Sequence, residues 1–179
     1  PERGFSFRSN APLDMRMSES GIDAVQWIEM HSVSELADVL RTYGDLKKSN
    51  ILARAIKEAV PKTTFELRDL ISNPKDIAPV FQALRIAVND EMGQLKSALH
   101  YVHDALRPNG RCVCVTFHSL EDRIVKNTFR KWCEVSGSPY LPTSESAEYV
   151  ALKTFLPSDD EITQNPRSRS AHMRGVKKV

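Results

Sequence analysis

Between positions 118 and 123 the chain reads His-Ser-Leu-Glu-Asp-Arg, so five of six consecutive side chains are polar or ionisable. An imidazole, a hydroxyl, two carboxylates and a guanidinium at that density can carry a proton, hold an anion or orient a polar ring. What precedes them decides where they sit. Pro108-Asn109-Gly110 has turn chemistry, one residue of fixed φ followed by two that tolerate positive φ. The apolar run from Cys112 to Phe117 is too short for a helix and rich in β-branched residues, which predicts a strand covered on both faces. Ser119, with Asp122 three positions on, then predicts a helix start of capping-box type, with Ile124, Val125, Phe129 and Trp132 as its buried stripe. The polar cluster is thereby placed at the carboxyl end of a buried strand, the edge at which open α/β sheets bind ligands. Ordinary helix capping is the alternative reading of the same residues, and a lone His118 is more often hydrogen-bonded structure than catalyst.

Three further stretches carry chemistry. Arg3-Gly4-Phe5-Ser6-Phe7-Arg8 interleaves basic and aromatic residues, which can pair phosphates and stack bases. The same residues also suit an ordered arm with Phe5, Phe7, Leu13, Met15 and Met17 packed on a core. Further on, Phe81, Leu84, Val88, Met92, Leu95, Leu99, Val102 and Leu106 recur at steps of three and four and predict one long helix. Gln82, Arg85 and Asn89 share a different face of it, where they either read a base edge and hold a phosphate or form a solvated face. The chain closes, over positions 165 to 178, with five Arg or Lys and no acid. Alternation through Arg169, Ala171, Met173 and Val176 predicts a final edge strand whose arginines meet phosphates, with a basic disordered tail as the competing reading.

The intervening elements read as short helices. Ser34 is placed as the cap of a helix with Leu36, Val39, Leu40 and Tyr43 inward and Gly44 at its end. A second helix runs from about Ser49 to Val60 with Pro61 as its stop, and Thr63 with Glu66 opens a third that Asn73-Pro74 breaks. Arg54, Lys57 and Arg68 lie on the outside of this group. After Cys133, Ser136-Gly137-Ser138-Pro139 marks a loop, Val150-Ala151-Leu152 a weak strand and Asp159-Asp160-Glu161 an acidic patch.

Composition narrows the class. At 179 residues the chain buries a sizeable core and sits at the upper end of a single domain. A net charge of +2 gives no global field that calls for nucleic acid, so any such surface is local. Cys112, Cys114 and Cys133 are odd in number and not spaced as a zinc site, which reads as reduced, buried thiols, and no metal is expected. No apolar run of about eighteen residues is present, so no membrane span is expected. The opening Pro-Glu-Arg lacks a methionine, which suggests a segment of something longer. There is no Gly-x-Gly-x-x-Gly loop, P-loop, Gly-x-Ser-x-Gly elbow or His-Glu-x-x-His pair. Residue patterns alone therefore leave an α/β protein with a helical insertion, either part of a nucleotide- or RNA-directed enzyme or a binding module that uses its basic ends.

Five segments, taken in order, resemble one known family. They are Arg3-Gly4-Phe5-Ser6-Phe7 with Pro12-Leu13-Asp14-Met15-Arg16-Met17, Arg41-Thr42-Tyr43-Gly44, Phe81-Gln82-Ala83-Leu84-Arg85-Ile86 with Val88-Asn89, Phe117 to Lys126, and Asn165-Pro166-Arg167-Ser168-Arg169-Ser170. They are similar to the ordered motifs of the MraW/RsmH family, S-adenosylmethionine-dependent methyltransferases that modify the exocyclic N4 of a cytidine in small-subunit ribosomal RNA, with bacterial and mitochondrial members. The resemblance implies the C-terminal part of a Rossmann-like methyltransferase sheet with an inserted all-helical subdomain. Positions 1–17 would be an arm of the methyltransferase domain, 18–79 the helical substrate-recognition insertion, and 80–179 the rest of that domain.

The cofactor is then S-adenosylmethionine, with its binding residues expected upstream of Pro1, and the partner is small-subunit rRNA or the pre-ribosomal small subunit. His118, Ser119 and Glu121 are placed at the edge of the catalytic pocket. Arg3, Phe5, Arg16, Gln82, Arg85, Asn89, Arg123, Arg167 and Arg169 are placed on RNA. A bacterial member would work in the cytoplasm and a eukaryotic one in the mitochondrial matrix. Three departures give the competing expectation, a catalytically inactive factor that binds rRNA during small-subunit assembly. Ala11 stands where the family has Gly, Ser18 where Asp is common, and Ala78-Pro79-Val80 where Thr-Arg-Thr or Thr-Lys-Thr is general.

Overall fold

The computed structural model describes residues 2–134 and 147–179, so the loop expected at Ser136-Gly137-Ser138-Pro139 lies outside the described residues. The chain is mixed α/β and divides into two compact units, Pro1–Glu91 and Met92–Val179.

The first unit is helical. Helix α1 (Ala24–Met30), which the sequence reading passed over, starts at Asp23, whose carboxylate accepts from the Gln26 N–H at 2.8 Å while the Gln26 side chain accepts from the Asp23 N–H. Helix α2 (Val33–Gly44) is capped by Ser32, two residues before the expected Ser34, because Glu35 rather than a later residue completes the reciprocal pair. Helices α3 (Ser49–Ala59) and α4 (Thr64–Asp69) lie where they were expected, the latter with Thr63 accepting from the Glu66 N–H.

Helix α5 (Pro74–Val88) begins earlier than the predicted long helix. Asn73 caps it and Pro74 occupies the first turn, where a missing N–H is harmless, so the Asn-Pro pair that reads as a breaker is a start. The helix runs through the boundary expected between 79 and 80. It also stops short: Asn89 caps its end, Asp90 adopts φ +46°, and α6 (Glu91–Ala105) starts afresh. The single period of 80–106 is therefore two helices. Val80, Phe81 and Leu84 enter the core of the first unit, whereas Leu95, Leu99 and Leu106 enter that of the second.

The arm before α1 is ordered. The Leu13 N–H donates to the Lys62 carbonyl at 2.9 Å and the Thr64 N–H to the Ala11 carbonyl at 3.0 Å. Leu13 and Met15 are each 1% exposed, and removing such a side chain from water contributes about 1.5–3 kcal/mol. Phe5 and Met17, also expected inward, stay exposed.

The second unit carries the sheet. Strands β1 (Arg111–Thr116), β2 (Tyr149–Ala151) and β3 (His172–Lys178) form an antiparallel sheet in the order β1-β3-β2, with Val113 opposite Gly175 and Val150 opposite Lys177. The terminal strand is thus central instead of an edge, since it pairs on both sides. One face, with Cys112, Cys114 and Val176, is covered by a cluster built on Leu99, Val125, Phe129 and Tyr149. The other face shows Val113 at 54%, Val115 at 53% and Val150 at 52% exposure. The prediction that β1 is covered on both faces fails among the described residues. Helix α7 (Ser119–Trp132) follows β1, and α8 (Asp159–Gln164) with a 3-10 turn (Pro166–Ser170) leads into β3. The acidic patch forms the first turn of α8, where carboxylates complement the helix dipole.

Candidate functional site

In the first unit the arm and α5 enclose a recess of about 210 Å³. Phe5, Phe7 and Phe81 give it aromatic walls, with the Phe7 and Phe81 rings edge to face at 5.7 Å between centroids. Met15 and Ala78 complete the apolar lining, and Gln82 and Arg85 supply the polar groups. The arm reaches this position by two unusual backbone conformations. Gly4 sits at φ +74°, and a Cβ there would lie 2.5 Å from the Pro12 carbonyl oxygen, so only glycine fits the approach. Met15 sits at φ +60°, held by its N–H donating to the Arg3 carbonyl at 2.7 Å.

The sequence-selected residues of this unit divide into two groups. Phe5, Gln82 and Arg85 meet at the recess. Arg3, Arg16 and Asn89 instead brace the arm. The Arg3 guanidinium donates to the carbonyls of Arg16 and Ser18 at 3.3 and 3.1 Å. Arg16 forms a two-pronged pair with Asp14 at 2.6 and 2.9 Å, and its hydrogen bonds hold the Asp14 carboxyl below the usual carboxylate range. Asn89 donates both amide hydrogens, to the Met15 and Arg85 carbonyls at 2.8 Å each, and accepts from the Met17 N–H at 2.7 Å. Arg85 is itself forked onto Glu91 at 2.7 and 3.1 Å. Phe7, Phe81 and Ala78 were not singled out as site residues; Phe81 has the spacing of a core residue, and nothing in the period shows that a core ring also faces a recess.

In the second unit a wider cleft of about 530 Å³ opens along the start of α7. His118, Ser119 and Arg123, three of the residues selected from the sequence, line it, joined by Asp122, Lys126, Asn127, Ser170 and, at the start of β3, His172. His118, not Ser119, is the N-cap, so the expected capping pair moves by one residue and Glu121 takes the part assigned to Asp122. The Glu121 carboxylate accepts from the Phe117 N–H at 2.8 Å. Its other oxygen lies 3.1 Å from His118 Nε2, yet out of line, so that buried nitrogen has distance without a hydrogen bond. Asp122 turns to β3, where Arg174 grips it at 2.7 and 2.9 Å. Those hydrogen bonds hold the Asp122 carboxyl below its ordinary range. Arg167 and Arg169 stand exposed on the 3-10 turn. Lys126 and Asn127 share Arg123's face of α7 at helical spacing, a signal that was legible and not used.

The three thiols are held in their protonated form: burial raises those of Cys112 and Cys133 and pushes that of Cys114 up to about 12. Among the described residues no group of His, Cys, Asp or Glu is arranged to hold a metal ion, and no helix is long and apolar enough to cross a membrane.

The model of the MraW methylase family matches residues 1–179. The chain belongs to the MraW methylase family. It is 44% identical to ribosomal RNA small subunit methyltransferase H of Methylobacterium nodulans, over 97% of the chain and 57% of that protein. It is 41% identical to the protein of the same name from Afipia carboxidovorans, over 99% of the chain and 59% of that protein. For the Rhizobium meliloti protein, again of that name, the figures are 42%, 97% and 56%. The chain thus spans a little over half the length of these MraW relatives.

S-adenosylmethionine is an adenosine sulfonium with an amino-acid end and no phosphate, and in a doubly wound sheet the backbone meets such a cofactor at a glycine-rich turn from strand to helix. The one strand here that leads directly into a helix, β1 into α7, does so through Phe117-His118 without a glycine. The described residues do not by themselves fit S-adenosylmethionine.

Proposed function

We propose that this chain is the RNA-engaging portion of a small-subunit rRNA methyltransferase that transfers a methyl group from S-adenosylmethionine to the exocyclic N4 of a cytidine during ribosome maturation. The observation that carries the reading is the recess of the first unit. A cavity of about 150 Å³ admits one six-membered aromatic ring, so about 210 Å³ between three phenylalanines is room for a pyrimidine and little more. An enzyme that acts on a base must turn it out of its stack, and aromatic walls offset that loss by restacking it. The Gln82 amide can donate to and accept from a base edge. Arg85, its charge already shared with Glu91, retains N–H groups for a base carbonyl.

Cytosine N4 is a poor nucleophile because its lone pair is delocalised into the ring. What the protein must supply is alignment and a route for one N–H proton. The arm and α5 supply the first by fixing the ring plane. Within the second unit, His118 and Ser119 of the cleft and the neighbouring Glu121 are the candidate side chains for taking up a proton. The bare face of β1, and its outer edge unpaired among the described residues, support reading the sheet as the rear portion of a larger Rossmann-like one that holds the donor elsewhere.

The test is methyl transfer from labelled S-adenosylmethionine to small-subunit RNA by the intact protein, with the product nucleoside identified. Phe5→Ala should weaken RNA binding about 5- to 150-fold, the loss of about 1–3 kcal/mol of base stacking. Binding without transfer would establish the inactive assembly factor instead.

A further inference from the structure

The cleft of the second unit is built differently from the recess, and the difference assigns it a different ligand. No phenylalanine, tyrosine or tryptophan lines it, and its two rings, the half-buried imidazoles of His118 and His172, offer a base far less stacking surface than the three phenylalanines of the recess. What it offers are two flexible cations, Arg123 and Lys126, one helical turn apart and both exposed, with the Asn127 amide and the hydroxyls of Ser119 and Ser170 around them. Acids that could neutralise the pair are turned elsewhere. Asp122 is gripped by Arg174, and Glu121 is bonded to the Phe117 N–H beneath the helix start. Neither Arg123 nor Lys126 makes an ion pair among the described residues. The 3-10 turn that supplies Ser170 adds exposed Arg167 and Arg169.

We propose that this cleft grips the phosphodiester backbone of a single-stranded stretch of the substrate RNA, without reading its bases. This rests on RNA being the substrate, as proposed above. Unneutralised cations around hydroxyls and an amide suit phosphate oxygens, which are recognised by charge and hydrogen bonding irrespective of sequence.

The consequence is a salt signature. Each cation that displaces a counterion from a single strand contributes about 0.7 to the slope of log affinity against log salt, so replacing two lowers the slope by about 1.4. The advantage of the native protein over Arg123→Ala/Lys126→Ala then shrinks about sevenfold between 50 and 200 mM salt.

Binding of the intact protein to two single-stranded RNA oligonucleotides of equal length, one with cytidine and one without, tests this by fluorescence anisotropy across that salt range. The double variant should lose the stated slope equally on both, and Arg123→Lys/Lys126→Arg should keep it. An unchanged slope, a loss on only one oligonucleotide, or no binding of either by the native protein overturns the assignment. An unchanged slope with intact folding would point to a different anion, such as an acidic peptide. Phe81→Ala in the recess is the parallel arm. If its removal does nothing and no methyl transfer is found while the slope still falls by about 1.4, the catalytic reading fails and the backbone grip stands.

Discussion

Asn89 is the residue on which the sequence and the structure make opposite predictions. On a helix face with Gln82 and Arg85 it reads as an amide for RNA. In the structure it joins the end of α5 to the arm through three hydrogen bonds, two donated and one accepted. Asn89→Ala removes all three. A protein hydrogen bond is worth about 0.5–1.5 kcal/mol net, and water can replace part of the one to the exposed Met17 N–H, so the loss is about 2 kcal/mol. The carbonyl of Met15, a residue already at φ +60°, loses a donor in the process. With a slope of about 1–2 kcal/mol per molar urea for a unit this size, the first unfolding transition should move down by about 1–2 M. Hydrogen exchange at the Met17 amide should quicken with it, because its acceptor is gone. RNA affinity should fall only in step with the disordered arm, and a Phe5 variant in the same background should add little further loss. Unchanged stability with a sharp drop in RNA affinity would refute the clamp and return Asn89 to the interface.

Gly4→Ala should be more severe than a surface change, since the new methyl meets a backbone carbonyl at 2.5 Å in a left-handed conformation; a loss of about 2–4 kcal/mol by urea unfolding is expected. Asp122 has a folded pKa below its unfolded value of about 3.9, so its contribution to stability is present above that pH and lost as pH falls through the folded value. Melting temperature measured from pH 6 to pH 2 should show that loss, and Asp122→Asn should flatten the acid limb. Replacing Arg3 and Arg16 by Ala should destabilise the arm yet leave the salt dependence of RNA binding nearly unchanged, because both guanidiniums face protein carbonyls or Asp14. Titration of binding against salt checks this, and a slope reduced by about 1.4 would place them on phosphates after all.

Several parts of this fold were legible because the local signal and the tertiary answer coincide. The apolar run of β1, the turn at Asn109-Gly110 and the Thr63 cap needed no partner from elsewhere in the chain. The break at Asn89-Asp90 was hidden for the opposite reason. The three-and-four period continues through it without a gap, while its cause, the arm folding back to take up Asn89, lies more than seventy positions away. The central position of β3 was equally hidden, since alternation shows that a strand has two faces but not how many neighbours it has. Of the arginines placed on phosphate, those of the arm already have partners within the chain, for a physical reason. A guanidinium has five donors, and carbonyls of a tightly folded arm satisfy them as readily as phosphate does. Arg123, Arg167 and Arg169 lie on a helix face and a turn, make no ion pair among the described residues, and stay exposed.

The same contrast accounts for how the two proposed kinds of nucleic-acid contact are divided between the units. A ring recess works best if it stays apolar, since a bare cation beside Phe5, Phe7 and Phe81 would give up hydration and compete for the ring faces on which a base would stack. Glu91, at 16% side-chain exposure, resolves this by taking the charge of Arg85 while leaving some of its N–H groups for hydrogen bonding. A backbone grip has the reverse requirement. Its cations must remain hydrated and unpaired until phosphate arrives, because counterion release is the source of the affinity. Turning Asp122 onto Arg174 serves that requirement, since the one carboxylate in the cleft lining takes its ion-pair partner from β3 instead of from Arg123 or Lys126. In both places an internal ion pair sets whether a neighbouring cation is a hydrogen-bond donor to a ring or a free charge for a chain of phosphates.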